Sequence, residues 1–400
     1  VALGKKPGKQ LFTPVANGQI HKYQGGETMI LKRKFFGFLA PLALAVFFLA
    51  TWAQADPGNR SDVAGAVYTM SNAAAGNSIL VFDRGADGTL NTAGSYPTGG
   101  LGTGSGLGNQ SGLVLSPDQR WLFAVNAGSN EVSVFSVKPG GLELADRINT
   151  GGNLPISLAL DRKLLYVLHA GDPNNITGFT VGTDGKLTPL PGSTRPLSAD
   201  MTAPAQVSFS PDGSVLVVTE KDTNLLDTFT VDRWGVAEGP MTYASEGTTP
   251  FGFAFGKRSQ IFVSEAVTGS VSSYRLDDEG TLQVISPAVP THQAAACWVV
   301  VTNDGRFAYT TNAGSGSISG FLVGPDGSLL LLDADGRTGD TGEGSAPIDM
   351  ALSGNNRFLY ALGSGNGTIS AFRVDSKNGN LKPIHGASGL PGGANGLAAR

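Results

Sequence analysis

YTTNAGSGSISGF, residues 309–321, consists of an apolar strand, a small polar turn and a second strand that closes on an aromatic. The same pattern recurs as YTMSNAAAGNSILVF (68–82), AVNAGSNEVSVF (124–135), YVLHAGDPNNITGF (166–179), VVTEKDTNLLDTF (217–229), FVSEAVTGSVSSY (262–274) and YALGSGNGTISAF (360–372). The first strand of each copy closes on Asn72, Asn126, His169, Glu220, Glu265, Asn312 and Gly363, with gaps of 43 to 54 residues. A period near 50 built from short strands and turns is that of four-stranded propeller blades, not of helical solenoids.

Each unit reads as four strands, a to d. Strand a is a short apolar run such as QVSFS (206–210) or WVVVT (298–302), and a turn such as Pro211-Asp212-Gly213 or Asn303-Asp304-Gly305 leads into strand b. Strands c and d meet at Asp87-Gly88, Asp184-Gly185, Asp326-Gly327 and Asn378-Gly379, hairpin dipeptides whose backbone tolerates positive φ. The first copy has no strand a, because residues 56–62 are polar with a proline and a glycine, while GLAAR (396–400) stands alone at the end. The expectation is an all-β, seven-bladed propeller of four-stranded antiparallel blades, closed by the C-terminal strand pairing with the N-terminal blade, which removes two open sheet edges.

Composition fits. Of 400 residues 57 are glycine and only 15% are charged, which marks a turn-rich folded chain. The single cysteine, Cys297, excludes intramolecular disulfides and multi-cysteine metal centres and reads as a buried thiol. A net charge of −4 with no basic block in the folded part excludes nucleic acid as the expected partner. Residues 29–55 have the order of an export signal: Met29, then Lys32, Arg33 and Lys34, an apolar run from Phe35 to Ala50, and Ala53-Gln54-Ala55 before Asp56. The division is thus 1–28 upstream leader, 29–55 signal peptide, 56–62 short linker and 63–400 one propeller. Removing residues 1–55 takes away seven cations and one anion and leaves −10, a poor match for anionic membranes. The expected location is periplasmic or secreted, as a monomer with no membrane association after cleavage.

In a propeller the b–c turns and d–a loops share one face, where the glycine-rich segments 99–111, 195–204, 289–297 and 337–347 surround the channel mouth. GGLGTGSGLGNQSG (99–112) has no Gly-x-Gly-x-x-Gly spacing and reads as a flexible inter-blade connector. There is no Gly-x-Ser-x-Gly elbow. Opening a lactone needs one group to polarise the carbonyl and one to handle a proton. The titratable groups on this face are His169, Glu220, Glu265 and His292, with Arg195 and Asp200 nearby, and the first three fill one position in successive blades. These four are the candidate catalytic residues, against the plainer reading of unrelated turn residues. Trp298 is placed at the channel mouth or between blades. His169, His292 and His385 lack metal spacing, and the acidic loop from Asp333 to Glu343 fails the calcium-loop pattern, so no metal or other cofactor is expected.

The blades and the Ser-Pro-Asp-Gly turn at 210–213 resemble the lactonase-type seven-bladed propellers, which include 6-phosphogluconolactonases and fungal 3-carboxymuconate cyclases, over residues 63–400. Glu265 sits where that family often has a glutamate closing the second strand of a blade. The family's Pro-His-x-His stretch falls on Thr202-Ala203-Pro204-Ala205, and its Pro-Arg-His stretch on Pro250-Phe251-Gly252, both without the histidines. The resemblance implies an exported hydrolase or isomerase of a lactone or carboxylated small molecule. The alternative is a non-catalytic propeller that binds a protein or glycan across its glycine-rich face.

Overall fold

The computed structural model describes residues 63–400, which contain strands and turns and no helix. The leader, signal peptide and linker expected at 1–62 lie outside the described residues. Seven antiparallel sheets follow one another in the order a-b-c-d. In blade 4, for instance, a is Pro204–Phe209, b Val215–Glu220, c Leu225–Val231 and d Ala237–Ala244. Burial explains the order. Strand b is enclosed along its whole length and opens on an apolar run, whereas the outer strand d is mostly exposed. In blades 3 and 6 strand d is split, so that Arg195–Pro196 and Gly339–Asp340 pair with strand c. Segments 195–204 and 337–347 therefore each contain a two-residue strand as well as loop.

The ring closes as the repeat phase requires. Blade 1 takes Val63–Met70, Ser78–Gly85 and Leu90–Pro97 from the beginning of the described chain and Asn395–Ala399 from its end. Val67 faces Ala399 and Thr69 faces Leu397 across that seam. The buried Arg84 holds both edges: its Nε donates to Arg400 O at 2.9 Å and its Nη2 to Ala64 O at 2.9 Å.

Neighbouring blades are joined by apolar clusters and by a repeated polar lock. The third residue of strand b is Tyr166 in blade 3, Tyr309 in blade 6 and Tyr360 in blade 7. Their hydroxyls donate to the c–d hairpin carbonyls of the next blade, Gly235 O at 2.8 Å, Gly379 O at 2.8 Å and Gly88 O at 2.9 Å. Gly88 has φ of 93°, and a Cβ there would strike the Phe358 ring, so this hairpin position accepts only glycine. Within blades, the a–b turns share one hydroxyl device. Ser210 Oγ donates to Asp212 Oδ1 at 2.6 Å and receives Val215 N at 3.0 Å, and Thr302 with Asp304 and Phe307 does the same.

Deletion of residues 390–400 is expected to give an insoluble protein or a large fall in Tm, because it reopens two sheet edges and strands Arg84. An unchanged Tm would overturn the closure argument.

Candidate functional site

The residue that ends strand b is covered by the d–a loop leading into its blade, as Gly100 lies over Asn126, Gly152 over His169 and Gly247 over Glu265. In blade 2, Asn126 Nδ2 donates to Ser133 Oγ at 2.8 Å, and Ser133 Oγ donates to Thr98 O at 2.8 Å in the covering loop. Blade 6 repeats this with Asn312, Ser319 and Gly336 O. Neutral amide and hydroxyl thus satisfy the loop backbone.

Three blades carry titratable groups in this plug. Glu220 in blade 4 is fully buried, accepting from Ser198 N at 3.1 Å, from Ser198 Oγ and from Thr223 Oγ1 at 2.6 Å. Seven residues on, where blades 2 and 6 have serine, stands Asp227, whose Oδ2 accepts from the same Ser198 N at 3.0 Å. Burial first, then the neighbouring Glu220 carboxylate, pushes Asp227 up to about 8, so it holds a proton at neutral pH. Glu265 in blade 5 accepts from Ser270 Oγ at 2.8 Å and Ser245 Oγ at 3.4 Å; burial raises it to about 7 against the pull of these serines. His169 in blade 3 is fully buried beside Gly152. Burial lowers its pKa to about 4, opposed only by Asn175, which is too poorly aligned to form a good hydrogen bond. His292 is exposed in the loop before blade 6, at φ of 58°. Among the described residues no hydrogen bond joins any two of His169, Glu220, Glu265 and His292. Glu220 and Glu265 are tied instead to their covering loops and their own b–c turns, and His169 has no side-chain hydrogen-bond partner.

The next residue opens the b–c turn, on the face of the channel mouth. That position reads Asn72, Ala127, Ala170, Lys221, Ala266, Ala313 and Ser364 around the ring. One lysine stands in a ring of otherwise uncharged residues. Lys221 Nζ donates to Gly108 O at 2.6 Å and lies 4.9 Å from the centroid of the Phe251 ring. It makes no ion pair among the described residues, and burial lowers its pKa to about 8. Phe251 packs on Trp298 with centroids 4.9 Å apart, and both belong to an apolar cluster with Ala205 and Cys297. Burial pushes the Cys297 thiol up to about 12, so it is protonated and a poor nucleophile.

The segment expected to be a flexible connector is instead built into the centre of the ring. Gln110 N donates to Ala205 O in blade 4 at 3.1 Å, while its side chain pairs with Val299 in blade 6, Nε2 to O at 2.8 Å and Oε1 from N at 3.0 Å. Asn109 Nδ2 donates to Ile156 O in blade 3, and Asn109 O accepts from Trp298 Nε1. Gly252 in blade 5 leaves the space Gln110 needs, since a Cβ there would collide with Gln110 Oε1. This segment lies across the axis. Beside it opens a cavity of about 440 Å³ lined by Ser105, Gly106, Gly108, Trp298, Ile348, Ser364 and Gly393 to Asn395, with no charged side chain in its wall. Asn395 Oδ1 is buried and without a hydrogen-bond donor. The mouth therefore offers an aromatic floor, one unpaired amide oxygen and a single cation alongside. Among the described residues no three His, Cys, Asp or Glu side chains gather at metal-ligating distance.

The raised carboxyls make a signed prediction. The folded state keeps protons on Asp227 and Glu265 that the unfolded chain releases above about pH 4. Their stabilisation is therefore complete below that pH and lost as pH rises through about 7 and about 8. His169 acts with the opposite sign, losing stability as pH falls from about 6.5 toward 4. Asp227→Asn, which mimics the protonated acid, is expected to flatten the fall in Tm between about pH 5 and 9. A parallel pH profile in the variant would refute the buried acid.

The lactonase seven-bladed β-propeller family profile matches residues 74–196 and 193–394. Similar curated proteins include the 6-phosphogluconolactonases of Photorhabdus laumondii and Pectobacterium carotovorum. The first is 25% identical over 286 residues, covering 68% of this chain and 83% of the relative. The second is 25% identical over 320 residues, covering 66% and 94%. Among solved structures, the periplasmic gluconolactonase of Pseudomonas aeruginosa superposes with a TM-score of 0.64 at 19% identity, covering 82% of this chain and 98% of that one. The virginiamycin B lyase of Staphylococcus aureus does so at 0.51 and 13% identity, covering 69% and 84%. These structural likenesses concern the fold, which serves different chemistries. The profile, in contrast, spans most of the sequence, and the chain belongs to the lactonase seven-bladed β-propeller family.

Proposed function

We propose that the protein is an exported lactonase that hydrolyses a small uncharged lactone at the axial mouth, with Lys221 as the electrophilic group. Lys221 carries the reading, because it is the one cation among the seven residues that follow strand b around the rim. Its ammonium keeps one hydrogen bond on Gly108 O and has two donors left for a carbonyl oxygen. Water adds to the carbonyl carbon, negative charge develops on that oxygen beside Lys221, the ring C–O bond breaks, and a hydroxy acid leaves. A donor aimed at developing oxyanion charge is worth about 10²–10³ in kcat.

The relatives are named for a phosphorylated substrate. A phosphate dianion favours bidentate arginine partners, and no arginine lines the cavity, beside which Lys221 supplies a lone ammonium. Asn395 Oδ1, buried and unpaired, suits a ligand hydroxyl instead. Glu220 and Glu265 act in this reading through the loops they pin, and His169 and His292 stay outside the reacting atoms. The pattern of residues 29–55 and the periplasmic gluconolactonase of the same fold support export.

Lys221→Met should lower kcat for glucono-δ-lactone by about 10²–10³, while Glu265→Gln stays within a few-fold of the parent. Activity should fall as pH rises through about 8, where Lys221 loses its proton. Full activity in Lys221→Met, or a clear preference for 6-phosphogluconolactone, would overturn the assignment. For export, sequencing of protein recovered from the periplasm or medium should begin at Asp56.

A further inference from the structure

We infer that the cleft between blades 2 and 3, on the face opposite the mouth, is a second binding site that takes a small amphipathic carboxylate. The inference is independent of the lactonase reading. It begins with a missing lock. The third residue of strand b, tyrosine in blades 3, 6 and 7, is Phe123 in blade 2, so no hydroxyl reaches the hairpin glycine of blade 3, Gly185. The Trp121 ring packs against Gly185 instead, at a distance that leaves no room for a Cβ there. A cavity of about 390 Å³ lies beside it, with Trp121, Phe123, Leu160 and Val181 as apolar wall. That volume falls within the range of small-molecule sites.

The rim supplies the charge. Arg120, Arg162 and Lys163 line the cleft with Asp118 and Asp161. Both carboxylates are already engaged. Asp118 accepts from Ser116 Oγ at 2.6 Å and from Arg120 N at 3.1 Å, and Asp161 lies 3.6 Å from Arg162 Nη1. Arg162 is further committed through Nη2 to Asp212 O at 3.1 Å. The Arg120 guanidinium and the Lys163 ammonium are exposed and make no hydrogen bond or ion pair among the described residues. Two cations without a hydrogen bond or ion pair beside an aromatic slot, on a chain with net negative charge, match a ligand with an apolar body and one carboxylate head. A neutral apolar ligand leaves both cations unused, and a polyanion does not fit the apolar wall.

The test uses 2-naphthoate and its neutral counterpart 2-naphthamide, with calorimetry and tryptophan fluorescence on the full chain. Saturable binding of 2-naphthoate at one site is expected, at least tenfold tighter than 2-naphthamide. Arg120→Gln combined with Lys163→Gln should weaken naphthoate at least tenfold and leave naphthamide unchanged. Both positions are exposed, so the double variant should fold like the parent, with lactone hydrolysis unaltered. Trp121→Leu, checked for an unchanged circular dichroism spectrum, should weaken both ligands. Equal affinity for acid and amide, naphthoate binding indifferent to the double variant, or no saturable binding up to millimolar concentration would each overturn the proposal.

Discussion

Seven radial sheets leave one sheet edge at each end of the chain, and everything in this molecule depends on those two edges finding one another. The pairing of Val67 with Ala399 and of Thr69 with Leu397 turns an open row of blades into a ring. Only a closed ring encloses strand b of every blade on both faces. Arg84 matters out of proportion to its size because it bonds carbonyls from both sides of the seam, at Ala64 and Arg400. Three tyrosine locks share that task, spanning the boundaries of blades 3 and 4, 6 and 7, and 7 and 1 with a single hydroxyl each.

Inside the ring, the end of each strand b is used twice. One residue lies under the covering loop, and the next opens the b–c turn at the mouth. Blades 2 and 6 solve the first task with asparagine and serine, which need no proton bookkeeping. Blade 4 uses Glu220 and Asp227 in the same places, and two carboxyls out of water beside one shared N–H can coexist only with a proton kept on one of them. The loop covering that pair, residues 197–203, stands next to Lys221, so the most charge-laden blade is also the one that carries the cation of the mouth.

The fold was legible because its signals are local and repeated: the strand–turn–strand unit, the Asp-Gly and Asn-Gly hairpins and the orphan strand at 396–400 each state the same phase. The site was legible only in part. His169, Glu220 and Glu265, singled out by residue type, close strand b beneath the covering loops, whereas Lys221 lies a single residue later. Setting the seven copies in register exposes it, since four alanines, an asparagine, a serine and a lysine make Lys221 stand out. The role of residues 105–111 could not be read that way. Gln110 bonds to Ala205, Phe253 and Val299, far away in sequence, and a glycine-rich run carries no trace of such partners. Trp298 was placed at the mouth or between blades; its indole N–H on Asn109 O puts it at the mouth.

The vacancy at Gly252 and the amide that fills it are halves of a single part. A side chain at residue 252 would meet not only that amide but also the Cys297 carbonyl and the Trp298 Cα of the adjoining blade. Enlarging it therefore disturbs two blades and the crossing segment together, and the axle of the wheel is keyed to its spokes at a gap one methyl group wide.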